Sequence, residues 1–243
     1  MQSWALTDPG CVRTENQDSY QLKKLDRNTL LCVVCDGMGG AKAGNVASNM
    51  AAVVFSREVE RYYRSNMDVD SLNDLLRQAV KLANFTVHDQ SGRVEEYEGM
   101  GTTLVAAVVR GRTVTVVNVG DSRAYRINDE DIQMITTDHS LVQLMIQRGE
   151  LRPDQARYFP GKNYITRAIG TEPTVVCDIF RQELQRGEYL LLCSDGLTNL
   201  VDDQEILFEL LHGGSQEDCC QRLLAIAKNR GAPDNVTSIL VRV

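Results

Sequence analysis

The chain lacks the features that mark nucleic-acid-binding and membrane proteins. Its 243 residues contain 26 Lys and Arg against 33 Asp and Glu, a formal net charge of −7. A dedicated nucleic-acid binder normally carries a basic excess or a basic stripe, and neither is present. No window approaches the ~18–20 apolar residues of a membrane span, and the N-terminal segment has neither the basic start nor the apolar run of a signal peptide. We therefore expect a cytoplasmic protein that enters no membrane and binds no nucleic acid.

Zinc-type cysteine spacing is also missing. The chain has seven cysteines and three histidines, but no cysteine pair stands at zinc-site spacing from a second pair or from histidine. Most of the cysteines lie inside apolar runs, which is typical of reduced core residues in a cytosolic protein. The sequence therefore indicates neither a zinc site nor a disulfide framework.

The order of predicted elements favours an α+β domain. The length suggests one domain over 1–243, and 43% hydrophobic with 24% charged residues is ordinary for a globular protein. Strands come in hairpin groups and helices in pairs, which favours antiparallel sheets covered by helices, with the last strand joining a sheet begun near the N-terminus. The predicted strands are 3–7, 19–22, 29–35, 102–109, 113–119, 123–127, 131–135, 175–180, 189–193 and 236–243, and the predicted helices are 45–63, 72–88, 141–147, 202–211 and 216–230.

Aspartates recur at the ends of the predicted strands. Three apolar strands end in an Asp beside a Gly, and two further Asp stand directly before strands. These residues are Asp36, Asp121, Asp195, Asp18 and Asp234. Any single one is typical of a turn. If the strand ends converge, however, several carboxylates meet, and a divalent hard cation such as Mg²⁺ or Mn²⁺ would offset their repulsion.

Seven motifs occur in an order that resembles one family. They are Arg13-x-x-Asn16-Gln17-Asp18, Asp36-Gly37-Met38-Gly39-Gly40, Gly101-Thr102-Thr103, Gly120-Asp121-Ser122-Arg123, Asp138-His139, Ser194-Asp195-Gly196 and Asp234-Asn235. Over almost its whole length the chain is similar to the metal-dependent serine/threonine protein phosphatases of the PPM/PP2C family, in their compact bacterial form. The resemblance implies a β-sandwich of two mainly antiparallel sheets flanked by helices on both sides, a four-layer αββα arrangement. It also implies that the polar segment 140–164 is a flap, a mobile insertion beside the site.

The resemblance implies two core ions, Mn²⁺ or Mg²⁺, and a weaker third. The implied ligands are Asp18, Asp36, the Gly37 carbonyl, Asp121, Asp195 and Asp234. Asp36 would bridge the core ions, Asp195 and Asp234 would complete the first, and Asp18 would support the second through water. Asp121, with Asp195, would hold the third.

The implied reaction is hydrolysis of phosphoserine and phosphothreonine in proteins. A water shared by two ions would attack phosphorus directly, and Arg13, the catalytic partner of Asp36, would bind the substrate phosphate. A cysteine-based route is not indicated, because no Cys is followed six positions later by Arg. The implied partners are phosphoproteins and a cognate serine/threonine kinase, and we expect a monomer.

Met38 departs from the family pattern, since some members have a histidine there that is a proposed general acid. Methionine cannot donate a proton. His139, next to Ser140 at the start of the flap, is a candidate donor, and a structural histidine is an equal alternative. Two other functions stay open: a catalytically silent phosphoprotein-binding module, and a metal phosphatase for small phosphoesters or phosphotyrosine.

Overall fold

The computed structural model describes residues 1–39, 43–156, 159–161 and 163–243. Gly40 of the predicted Asp-Gly-Met-Gly-Gly motif lies outside the described residues, and so do residues 157, 158 and 162 of the predicted flap.

The described residues form strands and helices in the mixed order that the sequence predicts. The strands are β1 Gln2–Asp8, β2 Asp18–Asp26, β3 Thr29–Met38, β4 Gly101–Thr102, β5 Leu104–Arg110, β6 Thr113–Val119, β7 Arg123–Ile127, β8 Ile132–Met134, β9 Asp178–Glu183, β10 Tyr189–Cys193 and β11 Val236–Arg242. The α-helices are α1 Ala43–Tyr62, α2 Val69–Arg93, α3 Leu141–Gln147, α4 Pro153–Ala156, α5 Asp195–Thr198, α6 Asp203–His212 and α7 Cys219–Asn229. Short 3₁₀ turns cover Glu95–Tyr97 and Gln216–Asp218.

The strands make two sheets in which every paired neighbour is antiparallel. One sheet has the order β1-β11-β10-β7-β8, and the other has the order β2-β3-β5-β6-β9, with β4 paired to β3. The last strand therefore lies beside the first, as predicted, with Gln2 opposite Arg242 and Asp8 opposite Val236.

Central strand β3 shows why the sheets stack. Its side chains alternate between two faces, and both faces are buried: Leu31 and Val33 pack against α1 and α2, while Cys32 and Val34 pack against the other sheet. A strand buried on both faces is a continuous apolar run rather than an alternating one. Helices α6 and α7 cover the outer face of the β1-β11-β10-β7-β8 sheet, which confirms the four-layer arrangement.

Some predicted boundaries were wrong. The strand predicted at 175–180 is β9, which begins only at Asp178, because pairing with β6 starts at the Asn118–Asp178 register. Helix α2 begins three residues before the predicted start, because the Asp68 carboxylate accepts the Ser71 N–H at 2.8 Å and caps it there. The sequence also did not predict α5, whose first residue is Asp195.

Among the described residues, no helix combines the length and apolar character that crossing a membrane requires.

Burial in the helical layers predicts a contrast between two phenylalanines. Phe55 on α1 is 0% exposed, whereas Phe85 on α2 is 64% exposed. Phe55→Ala is expected to lower the free energy of unfolding by about 3–5 kcal/mol, because it leaves a cavity. The matched change Phe85→Ala is expected to cost less than about 0.5 kcal/mol. Urea denaturation measures both, and equal losses would contradict the packing described for α1.

Candidate active site

The predicted aspartates meet at one end of the sandwich. A pocket of about 280 Å³ opens there, and five of the six predicted ligands line it, together with Arg13. These ligands are Asp36, Gly37, Asp121, Asp195 and Asp234. The sixth, Asp18, is 6% exposed and lies directly opposite Asp36 across the β2–β3 pair. The strand ends therefore converge, as the placement of the acids predicts.

The Asp36 backbone is fixed by the strand beside it. Its N–H donates to the Thr103 hydroxyl at 2.9 Å. Its carbonyl accepts the Thr103 N–H at 2.8 Å and the Thr102 hydroxyl at 2.8 Å. The Thr103 hydroxyl is in turn bonded to that of Ser122 at 2.7 Å. These bonds hold this part of β3 through its backbone, without using the Asp36 carboxyl group.

Asp18 carries a polar atom without a partner. The Ser194 hydroxyl donates to Oδ2 at 2.7 Å, but Oδ1 is buried and has no hydrogen bond among the described residues. A buried polar group left without a partner is costly and calls for an ion or a water. A cation in the pocket, reached directly or through water, would supply the missing partner.

Crowding raises the pKa values of these carboxyl groups. Burial, followed by the charges of Asp18 and Asp195, raises the pKa of Asp36 well above its ordinary value. Burial, assisted by Asp195, raises the pKa of Asp121 to about 8. Burial likewise raises the pKa of Asp18 to about 7, although the Thr237 and Ser194 hydroxyls act against it. Without a cation, the site therefore retains protons that a divalent ion would displace.

The donor set fits a hard divalent cation. All the side-chain donors are carboxylate oxygens, which suit Mg²⁺ and Mn²⁺. A Cβ on Gly37 would lie 2.0 Å from the Gly44 carbonyl oxygen, so only glycine brings the backbone into the pocket here. Within the described ranges, no three acidic, His or Cys side chains already form a closed metal cage. An open arrangement is expected for Mg²⁺, which keeps several waters and takes few carboxylates.

Arg13 is a cationic side chain in the wall of the pocket. Its Nη2 donates to Asp234 Oδ2 at 2.9 Å, and its side chain is 53% exposed. The hydrogen bond and the charge of Asp234 raise the pKa of the guanidinium, so Arg13 is charged at every relevant pH. The neighbouring cation, Arg123, is already engaged by Asp138 at 2.7–3.1 Å.

The structure places His139 away from the pocket lining. Its Nδ1 accepts the Gly120 N–H at 3.0 Å, and its Nε2 lies 3.1 Å from the Asp178 carboxylate. Burial lowers the pKa of His139, although Asp178 acts against it. Ser140 accepts the Gln143 N–H at 3.2 Å, which caps α3. Both residues therefore join the base of the predicted flap to the core.

Several pocket residues were not assigned from the sequence. Thr103, Asn163 and Ile165 line the pocket, and Asn199 donates to the Asp195 carboxylate at 2.9 Å. Thr103 stood inside a recognised motif, but nothing in the pattern marked Asn163 or Ile165. Ser140 lines a second groove of about 460 Å³ between the flap segment and α6.

Comparison with known proteins shows the family to which the chain belongs. A family model described as Protein phosphatase 2C matches residues 12–226. The chain belongs to the protein phosphatase 2C family. Enzymes of this family are metal-dependent in general, which agrees with the all-oxygen donor set.

Relatives of this PP2C-family chain are named as serine/threonine phosphatases. One from Listeria welshimeri is 35% identical over 235 residues, 97% of this chain and 93% of that protein. The protein phosphatase PhpP of Streptococcus pneumoniae is 35% identical over 239 residues, 97% of this chain and 95% of that protein. The crystal structure of serine/threonine phosphatase Stp1 from Staphylococcus aureus is 38% identical with a TM-score of 0.94, covering 100% of this chain and 94% of that one. The predicted family is confirmed.

The metal-free protein is expected to lose stability as the pH rises. The folded-state pKa values of about 7 for Asp18 and about 8 for Asp121 exceed the ordinary value of about 3.9. The folded state therefore binds these protons more tightly than the unfolded state does. The stabilisation that this proton binding gives the folded state is complete below about pH 4 and is lost as the pH rises toward about 8. In EDTA, urea denaturation is expected to show a smaller free energy of unfolding at about pH 8.5 than at about pH 5.5.

Two aspartate-to-asparagine variants test the origin of that loss. Asp121→Asn removes one titrating group from the pocket, so its stability is expected to fall less with pH. Asp129→Asn changes an exposed carboxylate in a distant turn and should keep the wild-type pH dependence. If both variants track the wild type, the pH dependence does not come from Asp121.

Proposed function

We propose that this chain is a metal-dependent phosphatase that hydrolyses phosphoserine and phosphothreonine in proteins. The observation that carries the proposal is the convergence of four carboxylates and one arginine at an open pocket, with the buried Asp18 directly opposite Asp36. The names of the relatives from Listeria welshimeri and Staphylococcus aureus support the serine/threonine substrate class. A cognate kinase would supply the phosphoproteins, and we infer a monomer that works in the cytoplasm.

Asp36 is the central ligand in this proposal. Asp18, Asp195, Asp121 and Asp234 all raise its pKa, so all their charges act on its carboxylate. We assign two core ions, Mn²⁺ or Mg²⁺, to Asp36, the Gly37 carbonyl, Asp195, Asp234 and Asp18, and a weaker third ion to Asp121 with Asp195. When bound, such ions supply an acidified water as nucleophile and positive charge for the phosphoryl oxygens. The carboxylates hold that charge on one side of the pocket.

Arg13 binds and orients the phosphate. Its guanidinium lies at the rim, half-exposed, with Asp234 holding it through one nitrogen. The remaining N–H groups can donate to phosphate oxygens in charge-assisted bonds. Charge that develops on these oxygens during phosphoryl transfer is stabilised by the same donors.

The proton for the leaving oxygen is assigned to water rather than to a side chain. Met38 lines the pocket and has no proton to give, and no histidine is among the described lining residues. Protonating Nδ1 of His139 would break its bond from the Gly120 N–H. We therefore assign His139 a positioning role at the flap base, in place of proton donation.

An active enzyme fits the pocket better than a silent binding module. A binding module has no need to keep mutually repelling carboxylates, and Asp18, Asp36, Asp121 and Asp195 all have raised pKa values here. Phosphotyrosine and small phosphoesters are the competing substrate classes, and the peptide comparison below tests the first of them.

Phosphate release from a phosphothreonine peptide tests the proposed function. Wild type is expected to release phosphate with Mn²⁺ and to stop in EDTA. Asp36→Asn is expected to lower kcat by at least about 100-fold with Mn²⁺ present, because the variant loses a carboxylate charge that would hold the ions. Asp129→Asn, matched in chemistry but exposed on a distant turn, should retain wild-type activity.

The same peptide with phosphotyrosine separates the substrate classes. A higher kcat/KM on phosphothreonine supports the proposal, and a higher value on phosphotyrosine contradicts the substrate assignment. Release that survives both EDTA and Asp36→Asn contradicts the metal mechanism.

A further inference from the structure

One buried side chain ties down the loop that carries Arg13. Asn235, at 3% exposure, follows Asp234 directly. Its Nδ2 donates to the Pro9 carbonyl at 3.0 Å and to the Glu15 carbonyl at 3.0 Å. Its Oδ1 accepts the Gln17 N–H at 2.7 Å. The three contacted backbone groups lie on both sides of Arg13 in the chain.

Only a primary amide of this length satisfies the three backbone groups together. Asparagine offers two donors for the carbonyls and an acceptor for the N–H. Aspartate has the same shape, but it would turn a charged oxygen toward the Pro9 and Glu15 carbonyls. Alanine would leave all three groups without that partner, and unmade bonds at a buried site are costly.

The loop that carries Arg13 is in contact with the segment 232–235. The Cys11 N–H donates to the Ala232 carbonyl at 2.9 Å. A Cβ on Gly10, where φ is +80°, would lie 2.3 Å from the Asp234 carbonyl oxygen. Arg13 reaches back to the Asp234 carboxylate at 2.9 Å. One dipeptide therefore supplies both a pocket carboxylate and the anchor of the loop above it.

We infer that Asn235 is the positioning residue of the phosphate-binding arginine. It fixes the backbone on both sides of Arg13, so that the guanidinium stands over the pocket beside Asp234. The Asn235 backbone N–H donates to Asp234 Oδ1 at 2.9 Å, but the Asn235 side chain is not among the described residues that line the pocket, and it acts through the loop. The inference rests on the proposed function, because phosphate binding by Arg13 is part of that proposal. What it adds is that the side-chain amide of Asn235 sets the position of Arg13.

The chain contains a matched control for this clamp. Asn84, at 1% exposure on α2, donates to the Glu172 carbonyl at 3.0 Å and to the Pro173 carbonyl at 3.2 Å. Its Oδ1 accepts the Gly170 N–H at 2.8 Å. The bonding pattern is the same, but this loop carries no residue of the proposed site. Asn84→Asp therefore reproduces the chemical change and the loss of stability without touching Arg13.

The test is a double-mutant cycle with Asn235→Asp and Arg13→Ala, and with Asn84→Asp as control. KM for a phosphothreonine peptide and Ki for inorganic phosphate are measured with Mn²⁺ present. Asn235→Asp alone is expected to raise both by about tenfold or more, because misplacing a positioned group is costly. In the Arg13→Ala background the same change should alter them by less than about threefold, because coupled residues are not additive.

Any one of three results would overturn the inference. Asn235→Asp could change KM and Ki by the same factor in the wild-type and Arg13→Ala backgrounds, or Asn84→Asp could raise KM as much as Asn235→Asp does. The third such result is a folded Asn235→Asp protein with unchanged KM and Ki. If Asn235→Asp does not fold, Asn235→Ser takes its place in the cycle with the same expected coupling.

Hydrogen–deuterium exchange reads the loop independently of catalysis. The Gln17 amide is expected to exchange at least about tenfold faster in Asn235→Ala than in wild type, because alanine removes the oxygen that accepts its N–H, while Asn84→Ala leaves it unchanged. An unchanged rate in Asn235→Ala contradicts the clamp itself. A wild type that shows loop protection but no phosphatase activity would instead contradict the proposed function and leave the clamp in place.

Discussion

Carboxylates brought to one pocket repel one another when they are ionised, and the surrounding fold must hold them together against that repulsion. Asp18 and Asp36 come from neighbouring strands of one sheet, whereas Asp195 and Asp234 flank β10 and β11 of the other. Moving the Asp18–Asp36 pair away from the Asp195–Asp234 pair would require the two sheets to separate. The apolar layer between the sheets prevents this, because it buries side chains from both at close packing. The sandwich core is thus the mechanical support of the site.

Neutral groups hold several of these carboxylates. The Ser194 hydroxyl serves Asp18, and the Asn199 amide serves Asp195. A lysine or arginine in either place would have cancelled the charge that a metal ion needs. The nearby Arg123 is bonded to Asp138 instead. The fold therefore fixes Asp18 and Asp195 in position while it leaves their negative charge to a ligand, whereas Asp234 is paired with Arg13.

The sequence predicted the features that local chemistry determines. An apolar run followed by Asp-Gly indicates a buried strand, and this placed Asp36 near the end of β3. The strand does not turn there as predicted, because Gly37 and Met38 continue it by pairing with β4. Long-range partners left no local signal. Nothing near Asn235 in sequence shows that its amide faces Pro9 and Glu15, which lie more than 200 positions away. His139 was a candidate proton donor because its chemistry allows it, and only the fold shows that Gly120 engages its Nδ1.

The pairing of β1 with β11 also has a consequence for how the protein is made. Arg13 is synthesised 221 residues before Asp234, with which it makes an ion pair. That contact closes a loop of more than 200 residues, which is a slow step in folding. A growing chain cannot assemble this pocket until synthesis has passed β11. A partly synthesised chain that ends before Asp234 lacks both a pocket carboxylate and the ion-pair partner of Arg13.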